Sequence, residues 1–192
     1  MRWSLSILFA VSLSGCAIMQ YASLNNAPSD VVLLSLKGDQ YHHVVGSLAT
    51  DVPDPYVVTS NDGGQVTVNL NDSFRSQFLV YLRTKFYNFA TDSSAGTDSS
   101  YAVSYRLLSA NTSYNFDRAP LNLGVGEARA ECTLVVVISV TRGGKSLGSA
   151  TITAPASSTA GSTWRETLGT AMNDAISKSI IMSDRFLQTV GL

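Results

Sequence analysis

Cys16 stands in a sequence context suited to nucleophilic chemistry, and Cys132 is the only other cysteine in the chain. An apolar run from Leu5 to Leu13 leads to the small residues Ser14 and Gly15, which directly precede Cys16. Small side chains beside the Gly15–Cys16 bond leave room for a peptidase. A thiol can also attack a lipid donor and form a thioether. Cys16 is therefore the first candidate residue for covalent chemistry.

The segment Leu13-Ser14-Gly15-Cys16 resembles the lipobox of bacterial lipoproteins. This resemblance implies that residues 1–15 are a signal peptide, with Leu13, Ser14 and Gly15 recognised by the signal peptidase. It also implies a diacylglyceryl group on the Cys16 thiol and an acyl chain such as palmitate on its new amino group. The apolar run is too short to span a bilayer, which takes about 20 residues. The alternative is an ordinary secretory signal with an incidental cysteine.

The residues after Cys16 bear on where the lipid anchor is delivered. Two or more acyl chains hold a protein stably on a membrane. In enterobacterial lipoproteins, an aspartate after the acylated cysteine retains the protein in the inner membrane. Because Ala17 stands there instead, we predict an outer-membrane lipoprotein facing the periplasm, with the inner membrane as the less favoured alternative.

Other candidate motifs for catalysis or ligand binding are incomplete. Residues 143–146 (Gly-Gly-Lys-Ser) end like a phosphate-binding loop, but Ser139 stands where that motif needs glycine, and a strand pattern follows. His42 and His43 are adjacent, so a strand would point them to opposite faces. No Gly-x-Ser-x-Gly elbow is present. We predict a non-enzymatic protein without catalytic, cofactor-binding or metal-binding residues, the lipid on Cys16 apart.

The composition excludes one large class of partners. Charged residues make up 14% of the 192 residues, against about 25% in average proteins. The net charge is −1, which provides no basic surface for nucleic acid. Serine and threonine are abundant instead, at 27 and 16 residues. Hydrophobic residues reach 45%, enough for a packed core, and we expect Cys132 to be buried in it.

Hydrophobic periodicity predicts a single domain over residues 31–192, after a lipidated and flexible tether over residues 16–30. The tether carries turn-forming residues. The first predicted helix has an apolar stripe of Phe74, Phe78, Tyr81, Leu82 and Phe86, and Arg75, Gln77, Arg83 and Lys85 fall largely away from it. The second also has one apolar face, and Thr163 and Glu166 fit a capping box at its start. A change of phase at Leu107-Leu108 predicts a bulge in the longest strand. The predicted strands cover residues 31–36, 65–70, 101–116, 127–141 and 146–154, and the predicted helices cover residues 74–86 and a segment beginning at Ser162 or Thr163. This order is typical of an α+β fold with two layers, a largely antiparallel sheet and two helices on one face.

From Gln65 to Leu192 the chain resembles the YajG-type family of small bacterial outer-membrane lipoproteins. The likeness rests on a strand and helix over residues 66–89, the long strand, the following hairpin, and a terminal helix with a short tail at residues 184–187. Residues 39–61 depart from it. The resemblance implies a place in the cell envelope and an α+β fold rather than an activity.

Two functions fit these expectations. The first is a membrane-anchored, non-enzymatic lipoprotein that binds or helps to assemble another envelope protein through an exposed sheet face or an edge strand. The alternative is an auxiliary subunit of a periplasmic transport system for lipids or small molecules. That alternative needs an apolar groove between helices and sheet, for which Phe74, Phe78, Leu168 and Met172 are the candidate lining residues.

Overall fold

A computed structural model describes residues 20–36, 38–61, 63–91, 100–117, 127–159 and 163–192. These residues form three helices and eight strands. Among them, no helix is both long and apolar enough to cross a membrane. In chain order the elements are β1 (Gln20–Ala22), α1 (Asp30–Leu34), β2 (Asp39–Thr50), β3 (Tyr56–Thr59), β4 (Gln65–Val68), α2 (Leu70–Lys85), β5 (Phe86–Ala90), β6 (Tyr101–Asp117), β7 (Glu127–Arg142), β8 (Lys145–Ser158) and α3 (Trp164–Thr189).

The main sheet has five strands in the order β5-β2-β6-β7-β8. The long strands β6, β7 and β8 pair antiparallel, as predicted. The register shift in β6 between Leu107 and Ser109 is the predicted bulge. Strand β2, however, runs parallel to both of its neighbours, so the sheet is mixed. The parallel β2–β5 pair follows from the crossover through α2, since parallel neighbours need a long connection. The α+β class is confirmed.

A second sheet of three strands, in the order β1-β4-β3, sits beside the end of β6. An isolated bridge joins Ser60 to Tyr114, and the hydroxyl of Tyr56 donates to the carbonyl of Ala110 at 3.0 Å. Because β1 pairs with β4, and Leu24 and Asn25 hydrogen-bond to Asn69 and Gln77, residues 20–25 belong to the folded domain. This corrects the tether prediction for residues 20–25.

Helices α2 and α3 cover one face of the main sheet, and the core lies between the helices and the sheet. The predicted stripe of α2 is buried at Phe74, Phe78, Tyr81 and Leu82. Helix α3 begins with the predicted capping box. The Glu166 amide donates to the Thr163 hydroxyl at 3.3 Å, and the Thr163 amide donates to the Glu166 carboxylate at 3.2 Å. Thus two orphan amides at the helix start are satisfied.

Three predictions about individual elements are wrong. Residues 31–36 contain the short helix α1, not a strand; a helical turn satisfies its own backbone where no strand lies alongside. Helix α2 ends at Lys85, and Phe86 opens β5. Residues 184–187 continue α3 rather than form a tail, because Leu187 extends its buried face.

Candidate functional site

The predicted lipidation site, Cys16 with Leu13, Ser14 and Gly15, lies outside the described residues. Gln20 begins the described chain four residues after Cys16, a span of about 14 Å at most. The register of β1, β4 and β3 places Gln20 near the level of Tyr114 in β6. Tyr101 lies at the opposite end of β6, about 40 Å away along the strand. We call these ends the Gln20 end and the Tyr101 end.

The place predicted for an apolar groove is filled by side chains. Phe74, Phe78, Leu168 and Met172 are each fully buried and belong to the continuous core. The ring centroids of Phe74 and Phe78 lie 4.5 Å apart, and Phe78 packs at 4.8 Å against Tyr105 of β6. The residues proposed to line a ligand site are therefore packing residues.

A buried polar cluster joins α2 to α3. The ammonium of Lys85 lies 2.9 Å from the carboxylate of Asp184, and the two side chains are 2% and 8% exposed. Asp184 also accepts hydrogen bonds from Tyr81 at 3.4 Å and from Gln188 at 2.6 Å. The Lys85 ammonium lies 5.5 Å from the centroid of the Phe86 ring. The sequence pattern placed Lys85 away from the core, and only the fold shows its partner.

A cavity of about 370 Å³ opens beside this cluster at the Tyr101 end of the domain. The residues lining it are Gly38, Asp39, Tyr41, His42, Lys85, Gln188, Gly191 and Leu192. Its ionisable side chains have partners: Lys85 pairs with Asp184, and His42 pairs with Asp39. A site whose charges are already satisfied offers little to bind a charged ligand.

Asp39 illustrates this self-contained charge balance. Burial opposes its ionisation, but hydrogen bonds from the His42 side chain and from the backbone amides of Tyr41 and His42 outweigh that effect and lower its pKa. The ring of His42 also packs edge-on against Tyr101 at 4.9 Å. His43 bonds instead to the Ser100 hydroxyl at 3.1 Å. The two histidines thus act apart, and no metal-binding group of three ligands occurs among the described residues.

Cys132 is a free, buried thiol in β7, as predicted. Burial raises its pKa to about 11, and a hydrogen bond from the Thr112 hydroxyl only partly opposes this effect. A thiol with this pKa stays protonated at neutral pH and is a poor nucleophile.

The main sheet leaves its second face open, on the side away from α2 and α3. Side chains on this face are short and mostly uncharged. They include Ala102 and Ser104 of β6, Thr133, Val135, Val137, Ser139 and Thr141 of β7, and Ser149, Thr151, Thr153, Pro155 and Ser157 of β8. The one charge near its middle, Arg106, is paired with Asp51 at 2.9 Å. Eight of the 43 serine and threonine residues in the sequence belong to this set.

Edge strand β8 borders this open face. In the described part of the chain, no strand pairs with its outer side. The sequence predicts an exposed sheet face or an edge strand as the contact surface, but it does not identify the face or the strand. The signal was present in the residue types, because a 14-residue strand with a single charged residue is rare on an exposed edge.

Comparison with known proteins supports the fold. No family model matches the sequence, and no curated protein matches it. A solved structure of a Xanthomonas campestris protein of the DUF330 family is 10% identical; the match covers 90% of this chain and 95% of that one, with a TM-score of 0.56. A minor lipoprotein from Acinetobacter baumannii is 16% identical over 74% and 92%, with a TM-score of 0.40. Rare lipoprotein B from Shewanella oneidensis is 15% identical over 79% and 92%, with a TM-score of 0.33. The Xanthomonas protein shares the α+β fold described above.

Proposed function

We propose that this chain is a lipid-anchored, non-enzymatic lipoprotein of the bacterial cell envelope that binds another envelope protein. Its anchor is the diacylglyceryl and N-acyl lipid on Cys16, and its location is the outer membrane, facing the periplasm. We propose that the chain belongs to the YajG-type family, which its sequence from Gln65 to Leu192 resembles. The role is to hold a binding surface near the membrane, where anchoring raises the effective concentration for a partner.

The open face of the main sheet is the observation that carries this proposal. Most of its side chains are uncharged, and its charged residues include two pairs, Arg106 with Asp51 and Arg129 with Glu131, that neutralise each other. Hydroxyl and β-branched side chains there can exchange water for hydrogen bonds and apolar contact with a second protein. The buried thiol and the self-paired charges of the cavity offer no comparable chemistry.

The structure provides no support for the transport alternative among the residues proposed for it. It requires space between helices and sheet, but the four candidate lining residues fill that space. We therefore propose the binding role rather than a carrier role.

Replacing Cys16 tests the anchor. We expect Cys16→Ser to abolish incorporation of labelled fatty acid and to release the protein from the membrane fraction, because the serine hydroxyl does not form the thioether. Replacing Cys132 by serine is the matched control and should leave labelling and fractionation unchanged. Unchanged acyl labelling of Cys16→Ser would refute the lipid assignment.

Photo-crosslinking in living cells tests the binding role. A photoreactive residue at Ser104 or Ser139 places the probe on the open face, and one at Thr84 places it on the exposed side of α2, across the sheet from that face. We expect one identified envelope protein to be captured from both open-face positions but not from Thr84, and this capture should be lost in cells that express the Cys16→Ser variant. The absence of any protein captured from the open face would contradict the proposed function.

A further inference from the structure

The outer edge of β8 has a defined set of backbone groups free for pairing. The register between β7 and β8 is continuous from Ser158 to Gly148. The Ser149 hydroxyl donates to the Ile138 carbonyl at 3.0 Å, so this carbonyl points towards β8 and its partner Ala150 bonds inward. Residues alternate along an antiparallel ladder. The amides and carbonyls of Ser149, Thr151 and Thr153 therefore point outward, away from the sheet.

This edge has natural limits at both ends. Pro155 lacks an amide hydrogen, and its carbonyl accepts from the ammonium of Lys178 of α3 at 2.8 Å. At the other end, the register shifts between Val140 and Thr141, opposite Leu147. Between these limits lies a regular seven-residue window, residues 148–154, which we call the β8 window. It contains no charged residue, no proline and no bulge, so it lacks the usual features that prevent strand addition.

The surroundings of the β8 window indicate the chemistry of a partner. Its outward backbone groups match only another extended backbone. Lys145 and Lys178 flank the neutral window, one beyond each end, and both are exposed. Met182 lies one helical turn after Lys178 on the same row of α3 and is 39% exposed. A neutral, β-branched strand with acidic residues at its ends is complementary to this set.

We propose that the β8 window binds an extended segment of a partner protein by β-strand addition, as a sixth strand of the main sheet. The segment is neutral over about seven residues and acidic at both ends. This inference deepens the proposed binding function and rests on it.

A second copy of this chain fits the edge less well. Two β8 edges that pair antiparallel would place their Gln20 ends at opposite ends of the joint sheet, about 40 Å apart. Both Cys16 anchors would then have to reach one membrane from opposite ends of upright domains. A partner segment carries no such restriction.

A designed peptide tests the proposal with the full lipidated protein in detergent micelles. The peptide is a seven-residue alternation of serine or threonine with valine, flanked by two aspartates at each end and carrying a fluorophore. We expect fluorescence anisotropy to show binding to the natural protein. Thr151→Pro, which removes an outward amide, should weaken binding about tenfold or more. Thr151→Val keeps that amide and should bind within about twofold.

A second control changes the peptide instead of the protein, so that its result does not depend on whether the Thr151→Pro variant folds. The same peptide with prolines at two adjacent central positions should fail to bind the natural protein. Equal binding by Thr151→Pro and the natural protein, or no binding of the original peptide, would overturn the inference. Self-association that Thr151→Pro abolishes would overturn it in favour of a second copy. If open-face crosslinking still captures an envelope protein while the peptide tests fail, the binding function stands and only the strand-addition mode falls.

Discussion

The Lys85 ammonium and the Asp184 carboxylate lie 2.9 Å apart in the interior. We expect Asp184→Ala to lower the free energy of unfolding by about 3–5 kcal/mol, because a buried ion pair then loses its carboxylate and the hydrogen bonds from Tyr81 and Gln188 lose their acceptor. The double variant Lys85→Met, Asp184→Leu should recover most of the loss. Urea denaturation followed by circular dichroism measures both. Glu131→Ala in the exposed pair with Arg129 is the control, with an expected change below about 1 kcal/mol. Equal losses in the single and double variants would contradict this account.

The Cys132 thiol should be inert in the folded protein. In a Cys16→Ser background it is the sole thiol, and we expect iodoacetamide at pH 8 to modify it only after unfolding. An added exposed cysteine, Ser104→Cys, serves as the reactive control. Rapid modification of the native protein would show that Cys132 is accessible.

The same thiol gives the folded state a pH dependence. Burial raises the pKa of Cys132 to about 11, above the value of about 8.5 in an unfolded chain. Its stabilising effect is full below about pH 8.5 and is lost as the pH rises to 11, since the unfolded state releases the proton first. We expect Cys132→Ala to remove this part of the alkaline loss of stability, measured as unfolding free energy at pH 8 and pH 10.5. An unchanged slope would contradict it.

At the scale of elements, Gly46 of β2 leaves room for the Phe89 ring of β5 under α2. A Cβ atom there would lie 2.6 Å from Phe89 Cζ and 3.4 Å from Leu82 Cδ1. We expect Gly46→Ala to cost about 1–3 kcal/mol, because the Phe89 ring must move. Adding Phe89→Leu should restore part of it. Gly38→Ala, whose nearest neighbouring atom is 3.9 Å away, should change the free energy of unfolding by less than about 0.5 kcal/mol. Thermal unfolding measures all three, and an unaffected Gly46→Ala would contradict this packing.

The elements that the sequence predicts are those whose signal is local. The stripe of α2, the capping box at Thr163 and the phase change at Leu107 each lie within a few residues, and each is confirmed. The parallel pairing of β2 depends on a crossover of more than 30 residues, so no local pattern marks it. The docking of residues 20–25 is likewise non-local. It depends on the Leu24 amide bonding Asn69 and on the Gln77 amide bonding the Asn25 carbonyl.

The candidate site divides in the same way. Lipidation at Cys16 is predicted from four adjacent residues and stays a prediction. The composition shows that the chain carries few charged residues. Only the strand register shows that many uncharged side chains lie together on one face of the main sheet. The ion pair between Lys85 and Asp184 joins residues from two helices that lie far apart in the chain, and nothing in either helix alone points to the other.

At the scale of the whole molecule, a lipid on Cys16 would set the orientation of the domain. The short segment between Cys16 and Gln20 restrains the Gln20 end to the membrane surface. We expect strands β6, β7 and β8 then to extend away from the membrane, with the turn at residues 143–144 about 40 Å farther out. The β8 window lies between these levels, within reach of a partner standing beside the anchored domain.

Depth-dependent quenching tests this orientation. Gln65 is exposed beside the Gln20 end, and Lys145 is exposed at the Tyr101 end. We expect a fluorophore on Gln65→Cys to be quenched strongly by nitroxide-labelled lipid in vesicles that carry the lipidated protein. The same fluorophore on Lys145→Cys should be quenched weakly, because spin-label quenching fades well within 40 Å. The non-lipidated Cys16→Ser forms of both variants are the controls and should show no quenching. Equal quenching at the two positions would mean that the domain lies flat on the membrane, which would bring the open face and the β8 window to the lipid surface rather than to a partner protein.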